Sequence, residues 1–185
     1  MSRLRIFNDT DPATPTFAST DLPAIAEQLS HLGVRFEQWQ AAMPVQPGAT
    51  PDEVMAAYRA DIDQLVEENG FKSVDVVSIA PDNPNKDAMR AKFLSEHTHT
   101  EDEVRFFHSG TGNFVLHMDG PEGPRVFDAH CGPGDLISVP ADSKHWFDAG
   151  ENPNFAVVRV FSDTSGWTPH YTGTDMAARF PAATA

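Results

Sequence analysis

The chain has 185 residues, a formal net charge of −14 and a sequence pI near 4.7. This negative charge argues against nucleic acids and anionic membrane surfaces as partners, because their phosphates would repel the protein. Its single cysteine, Cys131, excludes an internal disulfide and is typical of the reducing cytosol, so we expect a cytoplasmic protein.

The hydropathy pattern indicates a globular chain without a membrane anchor. No run of about 18 apolar residues occurs, and the N-terminal segment lacks the apolar stretch of a signal peptide. A length of 185 residues fits one domain with a sizeable core. Because no strand or helix shows an unexplained apolar face, we expect a monomer.

The N-terminal half of the chain mixes strands and helices. Strands are predicted over residues 1–7, where we expect an edge strand, over 34–39 and over 73–80, with a loop over 9–20. Helices are predicted over residues 21–32, 50–70 and 86–94. The second helix begins with a capping box, Thr50 to Glu53, and has Pro51 at its first position.

The pattern then changes to short apolar runs separated by Gly, Pro and Asp turns. Strands are predicted over residues 104–107, 113–118, 125–130, 136–139, 145–148 and 155–161, and a last helix over 174–180. Many short strands with frequent turns predict a sandwich or small barrel. We therefore expect one domain over residues 1–185, mainly β, with a helical and extended part over about 1–94 and a β-barrel over about 95–170.

Four residues have the chemistry of a metal site. In EHTHTEDEVRFF, His97 and His99 are two residues apart and would share one face of a strand. Glu103 begins the next apolar run, and its carboxylate meets the two imidazoles if that strand turns back beside the first. His145 follows in PADSKHWFD. Three imidazoles and one carboxylate suit a first-row divalent metal such as iron or nickel.

The spacing of these residues strengthens the metal hypothesis. An H-x-H pair alone is a weak signal, since a lone histidine is usually a surface or hydrogen-bonded residue. Here Glu103 with Gly110, and then Gly134, Pro140 and His145, resemble the two signature motifs of the cupin superfamily. A structural zinc site is the alternative, but such sites are closed, tetrahedral and often cysteine-rich, and this set contains no cysteine.

Longer blocks of sequence resemble the acireductone dioxygenase family of methionine salvage. These blocks are EHTHTEDEVRFF, DLISVPADSKHWFD, NFAVVRVF and GWTPHYTG, together with VRFEQW and VVSIAPDNP earlier in the chain. The resemblance runs from about Arg3 to Pro181. It implies a cupin-type β-barrel of the jelly-roll kind, and one Fe(II) or Ni(II) ion per chain held by the four ligands named above.

The resemblance also implies a reaction. Members of the family cleave an acireductone, 1,2-dihydroxy-3-keto-5-methylthiopentene, with O2. The Fe(II) form gives 4-methylthio-2-oxobutanoate and formate, and the Ni(II) form gives 3-methylthiopropanoate, formate and carbon monoxide. Both metals use the same ligands, so the sequence does not decide between them.

Arg105 is the candidate catalytic residue. It lies two residues after Glu103, so a strand would direct both side chains to the same interior face. An inward arginine needs a negative partner. Either a structural carboxylate or an anionic substrate beside the metal could supply that partner. The family resemblance implies the substrate, which this arginine would bind and help to deprotonate.

Three aromatic residues could form a substrate pocket. Phe107 shares the predicted face of Arg105, Phe147 shares that of His145, and Phe93 precedes the first motif. Aromatic residues beside an open metal site can shape an apolar pocket and exclude water. An ordinary role in the hydrophobic core is an equally good interpretation of these three residues. In the family, the methylthio tail of the substrate would lie against such a wall.

Two carboxylates flank the predicted ligands. Glu96 and Asp102 should lie on the opposite face of regular strands, and either could orient a ligand imidazole through a hydrogen bond. The resemblance suggests roles for both in metal incorporation and in relaying local change, and solvated surface carboxylates are the alternative. Against the generic cupin pattern, Ala91, Asp142 and Ala149 replace two glycines and an asparagine, which argues against a sugar-binding cupin.

Two other functional classes stay open at this point. A non-catalytic, ligand-binding cupin would need no complete metal set and usually has a partner domain. A different cupin enzyme, such as a sugar-phosphate isomerase or another dioxygenase, is the second class. An isomerase of phosphosugars would need several basic residues near the pocket, and only Arg105, Arg159 and Lys144 qualify.

Overall fold

The structure is a computed structural model that describes residues 1–120, 123–163 and 168–180. Its elements in chain order are β1 (Arg3–Asn8), β2 (Pro15–Ser19), α1 (Leu22–Ser30), β3 (Arg35–Gln38), α2 (Pro51–Ala57), α3 (Arg59–Asn69), β4 (Ser73–Ile79), α4 (Lys86–Leu94), β5 (His97–Thr98), β6 (Glu103–Ser109), β7 (Gly112–Gly120), β8 (Gly123–Cys131), β9 (Asp135–Val139), β10 (His145–Asp148), β11 (Phe155–Phe161), β12 (His170–Tyr171) and α5 (Met176–Arg179). The expectation of a mainly β chain is confirmed, and the few helices that the structure describes include α1 to α4 before residue 95.

The strands form two antiparallel sheets. The larger sheet has the order β12-β5-β10-β7-β8-β1-β2 and the smaller one β3-β9-β6-β11-β4. Strands from before residue 95 join both sheets, since β1 pairs with β8, β3 with β9 and β4 with β11. The N-terminal part is therefore built into the same two sheets as the strands that carry the predicted metal ligands.

Two predictions about the first strands are wrong. We expected β1 to be an edge strand, but it lies between β8 and β2. The predicted loop over residues 9–20 contains β2, whose Phe17 and Ala18 pair with Ile6 and Arg5 of β1. The many Pro, Thr and Asp residues of this segment indicated a loop. A strand still forms, because proline is tolerated at the start of an edge strand and β2 begins with Pro15.

The main core lies between the two sheets. Alternate residues of facing strands supply it, for example Leu4 and Ile6 of β1 in the larger sheet and Phe107 of β6 in the smaller one. A second apolar cluster lies on the outer face of the smaller sheet, where α2 and α3 cover Val104 and Phe106. Successive side chains of β6 thus alternate between the inter-sheet core and the helical layer.

The predicted helix over residues 50–70 is two helices that meet at Tyr58. The capping box is confirmed, with the Thr50 side chain accepting from Glu53 N and the Glu53 side chain accepting from Thr50 N. Tyr58 leaves the helical region at φ −118°. Its ring is buried and lies edge-on against the ring of Phe106, with 4.4 Å between the two ring centroids. Packing of this ring on the sheet overrides the helical pattern.

Two further features bear on the expectations from composition. Within the described ranges, no helix is long and apolar enough to cross a membrane. Cys131 is fully buried at the end of β8. Burial holds the pKa of its thiol well above the usual value, so the reactive thiolate is disfavoured.

Candidate metal centre

The four predicted ligands converge at one end of the two sheets. His97 on β5 and His145 on β10 are directly paired in the larger sheet, while Glu103 begins β6 in the smaller one. One ligand atom from each of these residues and from His99 lies within 4.8 Å of the others. The ring centroid of His97 is 4.9 Å from that of His99 and 4.6 Å from that of His145.

The local route to this convergence differs from the one expected. We placed His97 and His99 on one strand, but β5 ends at Thr98 and His99 lies beyond it. The carbonyl of His99 instead accepts a hydrogen bond from Asp142 N at 2.8 Å. This contact ties the segment after β5 to the turn before β10, so both ligand segments are fixed to each other.

Backbone carbonyls orient two of the imidazoles. His97 Nδ1 lies 2.7 Å from the carbonyl of Ser95, and His145 Nδ1 lies 2.8 Å from that of Ser143. Each carbonyl belongs to the residue two positions before the histidine. A carbonyl oxygen can only accept a hydrogen bond, so each neutral ring carries its proton on Nδ1. The Nε2 lone pair then faces the centre of the cluster.

The charges at the centre favour a cation. Glu103 Oε2 lies 2.8 Å from His145 Nε2 and 3.3 Å from His99 Nε2. A neutral His145 ring with its proton on Nδ1 would direct its Nε2 lone pair at this carboxylate. The pair therefore needs a positive charge between them, from a proton or from a metal ion.

The pKa directions agree with this charge pattern. Burial raises the pKa of Glu103, but Arg105, His145 and His99 outweigh it and hold the pKa well below the usual value. Burial, and then the neighbouring His145, lowers the pKa of His97 to about 4. Burial also opposes protonation of His145, but the Glu103 carboxylate prevails and raises its pKa. An ionised carboxylate beside a neutral His97 is the state in which these groups bind metals.

His99 is the least constrained ring of the set. Its Nδ1 is buried and has no hydrogen-bond partner within the described residues. Its Nε2 faces Glu103. The orientation of this ring therefore depends on the group at the centre, which fits a residue that acts as a ligand. The donor set as a whole, three imidazole nitrogens and a carboxylate oxygen, suits one first-row divalent ion.

Arg105 lies beside this centre and faces a cavity. Its guanidinium donates to Glu103 Oε1 at 2.9 Å and to the Val104 carbonyl at 2.9 Å. The negative partner that its burial requires is therefore the candidate metal ligand itself. On the paired strand β11, Arg159 lies opposite Arg105 and donates to both carboxylate oxygens of Asp75.

The cavity lies between the two sheets and continues to an outer mouth. The inner part of this cavity, the inner chamber, leaves about 80 Å³ in which the centre of a water molecule can lie. Its described lining includes the three aromatic residues expected to form a pocket, Phe93, Phe107 and Phe147. Glu103, Arg105 and Arg159 are the charged residues of that lining, and they also line the mouth, where His99 and Asp102 join them.

The aromatic wall of the chamber is closely packed. The ring of Phe147 lies 4.9 Å from that of Phe114 and 5.8 Å, edge-on, from that of Phe155. A methyl group at Gly112 would lie 2.3 Å from the Phe147 ring. This glycine on β7 therefore leaves the room that the Phe147 ring occupies.

The two flanking carboxylates do not orient a ligand imidazole, contrary to expectation. Glu96 is buried and accepts hydrogen bonds from Thr172 Oγ1 at 2.6 Å and Thr174 Oγ1 at 2.9 Å, and its other oxygen lies 2.9 Å from His117 Nδ1. Asp102 accepts from Ala141 N at 2.9 Å. For His97 and His145 the physical reason is that a backbone carbonyl already occupies Nδ1 of each ring.

The contacts of Glu96 instead join three separated segments. They connect β5 to β7 and to the residues just after β12. Burial on its own would raise the pKa of Glu96, but the two threonine hydroxyls and His117 lower it. The carboxylate is thus a structural anchor behind His97.

Sequence reasoning missed several of these features. The Ser-x-His pattern occurs at both Ser95–His97 and Ser143–His145, and this repeat could have indicated the carbonyl contacts. Thr172 and Thr174 offered no signal, because their partner Glu96 is distant in sequence. The sequence marks Arg159 only as a basic residue, and the pairing of β11 with β6 is what brings it beside Arg105.

The turn before β10 explains one departure from the generic cupin pattern. Asp142 replaces a glycine of that pattern, and its φ of 61° lies in the left-handed region. Aspartate tolerates this region better than most residues that carry a Cβ, so the turn forms without glycine.

We expect Asp142→Gly to change the free energy of unfolding by less than about 1 kcal/mol, because relief of the left-handed conformation offsets the greater entropy of the unfolded chain. Asp142→Val should destabilise the protein by about 1–2 kcal/mol. Urea unfolding measures both. Asp82→Val, at an exposed turn residue outside the left-handed region, is the control. Equal effects of the two valine variants would contradict the role given to the backbone conformation.

Two antiparallel sheets that bring three imidazoles and a carboxylate together beside an apolar chamber define a metal-binding β protein. Comparison with known proteins gives the family. The model of the ARD/ARD' family matches residues 3–169, and the chain belongs to that family, which confirms the resemblance drawn from its sequence.

Individual relatives agree with this assignment. The acireductone dioxygenase of Xanthomonas euvesicatoria pv. vesicatoria is 58% identical over 181 residues, which cover 98% of this chain and 94% of that protein. The acireductone dioxygenase of Stenotrophomonas maltophilia is 55% identical over 181 residues, covering 98% and 96%. The structure of acireductone dioxygenase from Bacillus anthracis with a cadmium ion in its active centre is 31% identical, with a TM-score of 0.79, covering 92% of this chain and 98% of that one.

Proposed function

We propose that this protein is an acireductone dioxygenase that cleaves 1,2-dihydroxy-3-keto-5-methylthiopentene with O2. The observation that carries the proposal is the convergence of three imidazoles and Glu103 beside an apolar chamber whose described charged residues are Glu103, Arg105 and Arg159. A substrate with an anionic head and an apolar tail matches this site, because the charged residues would meet the head and the apolar wall would meet the tail.

We propose His97, His99, Glu103 and His145 as the ligands of one Fe(II) or Ni(II) ion. Four protein ligands on a six-coordinate ion leave two positions for a substrate that chelates through two oxygens. The ion, when bound, would polarise those oxygens as a Lewis acid and orient them. The protein's own part is to hold the rings through Ser95 and Ser143, and to keep Glu103 ionised.

We propose Arg105 as the residue that binds the anionic head of the substrate. Its guanidinium is fixed by Glu103 and by the Val104 carbonyl, so it is already oriented before substrate enters. A fixed positive charge favours the deprotonated substrate over the neutral one. Burial lowers the pKa of Arg105, and Glu103 opposes that shift. The guanidinium stays charged because arginine is far too basic to lose its proton in a protein.

We propose that Phe93, Phe107 and Phe147 hold the methylthio tail. All three line the inner chamber next to the charged residues. Contact of the tail with these rings removes apolar surface from water and leaves little room for water beside the reacting atoms. We also propose roles for Glu96 and Asp102 in holding the two ligand segments in register, as their contacts with Thr172 and Ala141 suggest.

At the level of the whole chain we propose a cupin-type jelly roll that forms one domain over residues 1–185. Both sheets share one core, to which strands from before and after residue 95 contribute. The net charge of −14 and the single cysteine support a monomeric cytoplasmic enzyme that binds neither nucleic acid nor membranes.

The chamber supports the two other functional classes less well. An isomerase of phosphosugars needs cations free to bind a phosphate. Among the described residues of the inner chamber the cations are Arg105 and Arg159, which already contact Glu103 and Asp75, and Lys92 lines only the mouth. A non-catalytic ligand-binding cupin does not require the complete set of four ligands that the chain retains.

Anaerobic reconstitution with Fe(II) or Ni(II), followed by acireductone and O2, tests the proposed function. We expect oxygen uptake with formate and 4-methylthio-2-oxobutanoate from the Fe(II) enzyme. The Ni(II) enzyme should give formate, 3-methylthiopropanoate and carbon monoxide. The metal-free protein is the control. One ion bound per chain without oxygen uptake would contradict the proposal and return the function to another cupin enzyme.

A further inference from the structure

The inner chamber adjoins a second, smaller void on the side away from the metal centre. This void offers about 20 Å³ to the centre of a water molecule and is lined in part by Lys86, Arg90 and Pro153. Five residues line both spaces and form the wall between them: Ile79, Met89, Phe93, Phe147 and Phe155. The length of tail that the chamber accepts depends on this wall.

Three of these five residues are fixed by the sheets. Ile79 on β4 is paired with Phe155 on β11, and Phe147 on β10 is paired with Phe114 on β7. The Phe147 ring also lies edge-on against that of Phe155. Moving any of them requires a shift of a paired strand or of a packed ring.

The other two wall residues come from α4, which belongs to neither sheet. Met89 and Phe93 are four residues apart and thus lie on one face of this helix. No residue of α4 is buried, and its N-cap makes no side-chain hydrogen bond. Its side chains hold it in place at two points. Arg90 donates to both oxygens of Asp148 at 2.9 and 3.1 Å, and Lys86 donates to Asn152 at 2.9 Å.

Met89 is the wall residue with the greatest freedom to move. Its side chain is unbranched and has three rotatable bonds, whereas Phe93 is a rigid ring. Met89 is half-buried, packs on the inter-sheet core, and lines the inner chamber, the void beyond it and the mouth. We propose that Met89 sets the length of apolar tail that the chamber accepts. This inference rests on the proposed function in taking the tail to be part of the substrate.

Shortening and enlarging this side chain should have opposite effects. Met89→Ala joins the chamber to the void beyond it, so longer tails fit. Met89→Phe fills the far end of the chamber, so the longest tail that the enzyme accepts becomes shorter. Both changes keep the fold accessible, because α4 has no buried residue and alanine is the best helix former.

Binding of straight-chain carboxylates to the Ni(II)-loaded protein under nitrogen tests the proposal without turnover. Calorimetry gives the dissociation constant for each chain length from butanoate to decanoate. In the unchanged enzyme, affinity should rise roughly fourfold per methylene until the chamber is full, and then fall. Met89→Ala should move this break to acids about two carbons longer, and Met89→Phe should move it to shorter acids.

Met55→Ala is the matched control, since Met55 is also half-buried but packs on the outer cluster away from the chamber. A break that stays at the same chain length in both Met89 variants overturns the proposal, and so does affinity that does not depend on chain length in the unchanged enzyme. Oxygen uptake with acireductone is measured on the same samples. If the unchanged enzyme takes up no oxygen, but the chain length of tightest binding shifts in the Met89 variants, the dioxygenase assignment is contradicted and the role of Met89 is supported.

Discussion

The variant His145→Ala should lose its bound metal and, with it, all oxygen uptake. His145 is buried, its Nε2 is 2.8 Å from Glu103, and its Nδ1 is held by the Ser143 carbonyl. Removing this ring takes away one of four ligands and leaves Glu103 without its nearest nitrogen. Because changing a residue that merely orients a ligand weakens metal binding by about 10–100-fold, loss of a ligand should weaken it by more than about 100-fold.

Metal content after dialysis, measured by mass spectrometry, checks this prediction. His130→Ala is the matched control. His130 is also a buried histidine, but it contacts Asn113 on the larger sheet and lies outside the cluster. The control should retain about one ion per chain even if it lowers stability. Full metal retention by His145→Ala would remove this residue from the ligand set.

The variant Arg105→Ala should keep its metal at neutral pH and lose turnover. No nitrogen of Arg105 belongs to the ligand cluster, yet its guanidinium lines both the chamber and the mouth. We expect kcat/KM for acireductone to fall by about 10²–10³-fold, the usual cost of losing one fixed donor at a developing or bound anion. Arg105→Lys should recover only part of this loss, because an ammonium lacks the planar fork.

The same variant has a second, pH-dependent consequence. After burial, which raises the pKa of Glu103, Arg105 is the largest influence on that group and lowers its pKa. Without Arg105 the Glu103 pKa should rise, so protons compete with the metal at a higher pH than in the unchanged enzyme. Metal content measured as the pH is lowered should therefore fall earlier in Arg105→Ala.

Arg5→Ala is the matched control for Arg105→Ala, because Arg5 is also partly buried and paired with an aspartate, Asp128. It should leave both kcat/KM and the pH dependence of metal content unchanged. Turnover by Arg105→Ala at the unchanged rate would contradict the substrate-binding role. Loss of metal at neutral pH would instead show that this arginine supports the metal centre itself.

The clustering of the four candidate ligands could be predicted from the sequence because three of them are close together in the chain. His97, His99 and Glu103 lie within seven residues of one another, and the approach of His145 follows once β10 pairs with β5. The inward direction of Arg105 and Phe107 followed from the two-residue period of β6. Local spacing carries this information because strand geometry repeats every two residues.

Features that depend on distant contacts could not be predicted in this way. The break at Tyr58 arises because its ring packs on Phe106, about fifty residues away in the chain. The partners of Glu96, at Thr172 and Thr174, come from the end of the chain. Met89 shows the same limit, since a methionine at helical spacing is usually a core residue. Only the position of α4 over the chamber shows that Met89 lines the wall between the chamber and the void.

A crystal structure of the protein loaded anaerobically with Fe(II), with diffraction measured at the iron absorption edge, tests the central claim most directly. We predict one anomalous peak per chain, within bonding distance of His97, His99, Glu103 and His145, with two neighbouring positions on the ion that no protein atom occupies. A peak elsewhere, or an ion at this end of the sheets that is not bound by all four residues, would contradict the proposed centre and the reaction derived from it.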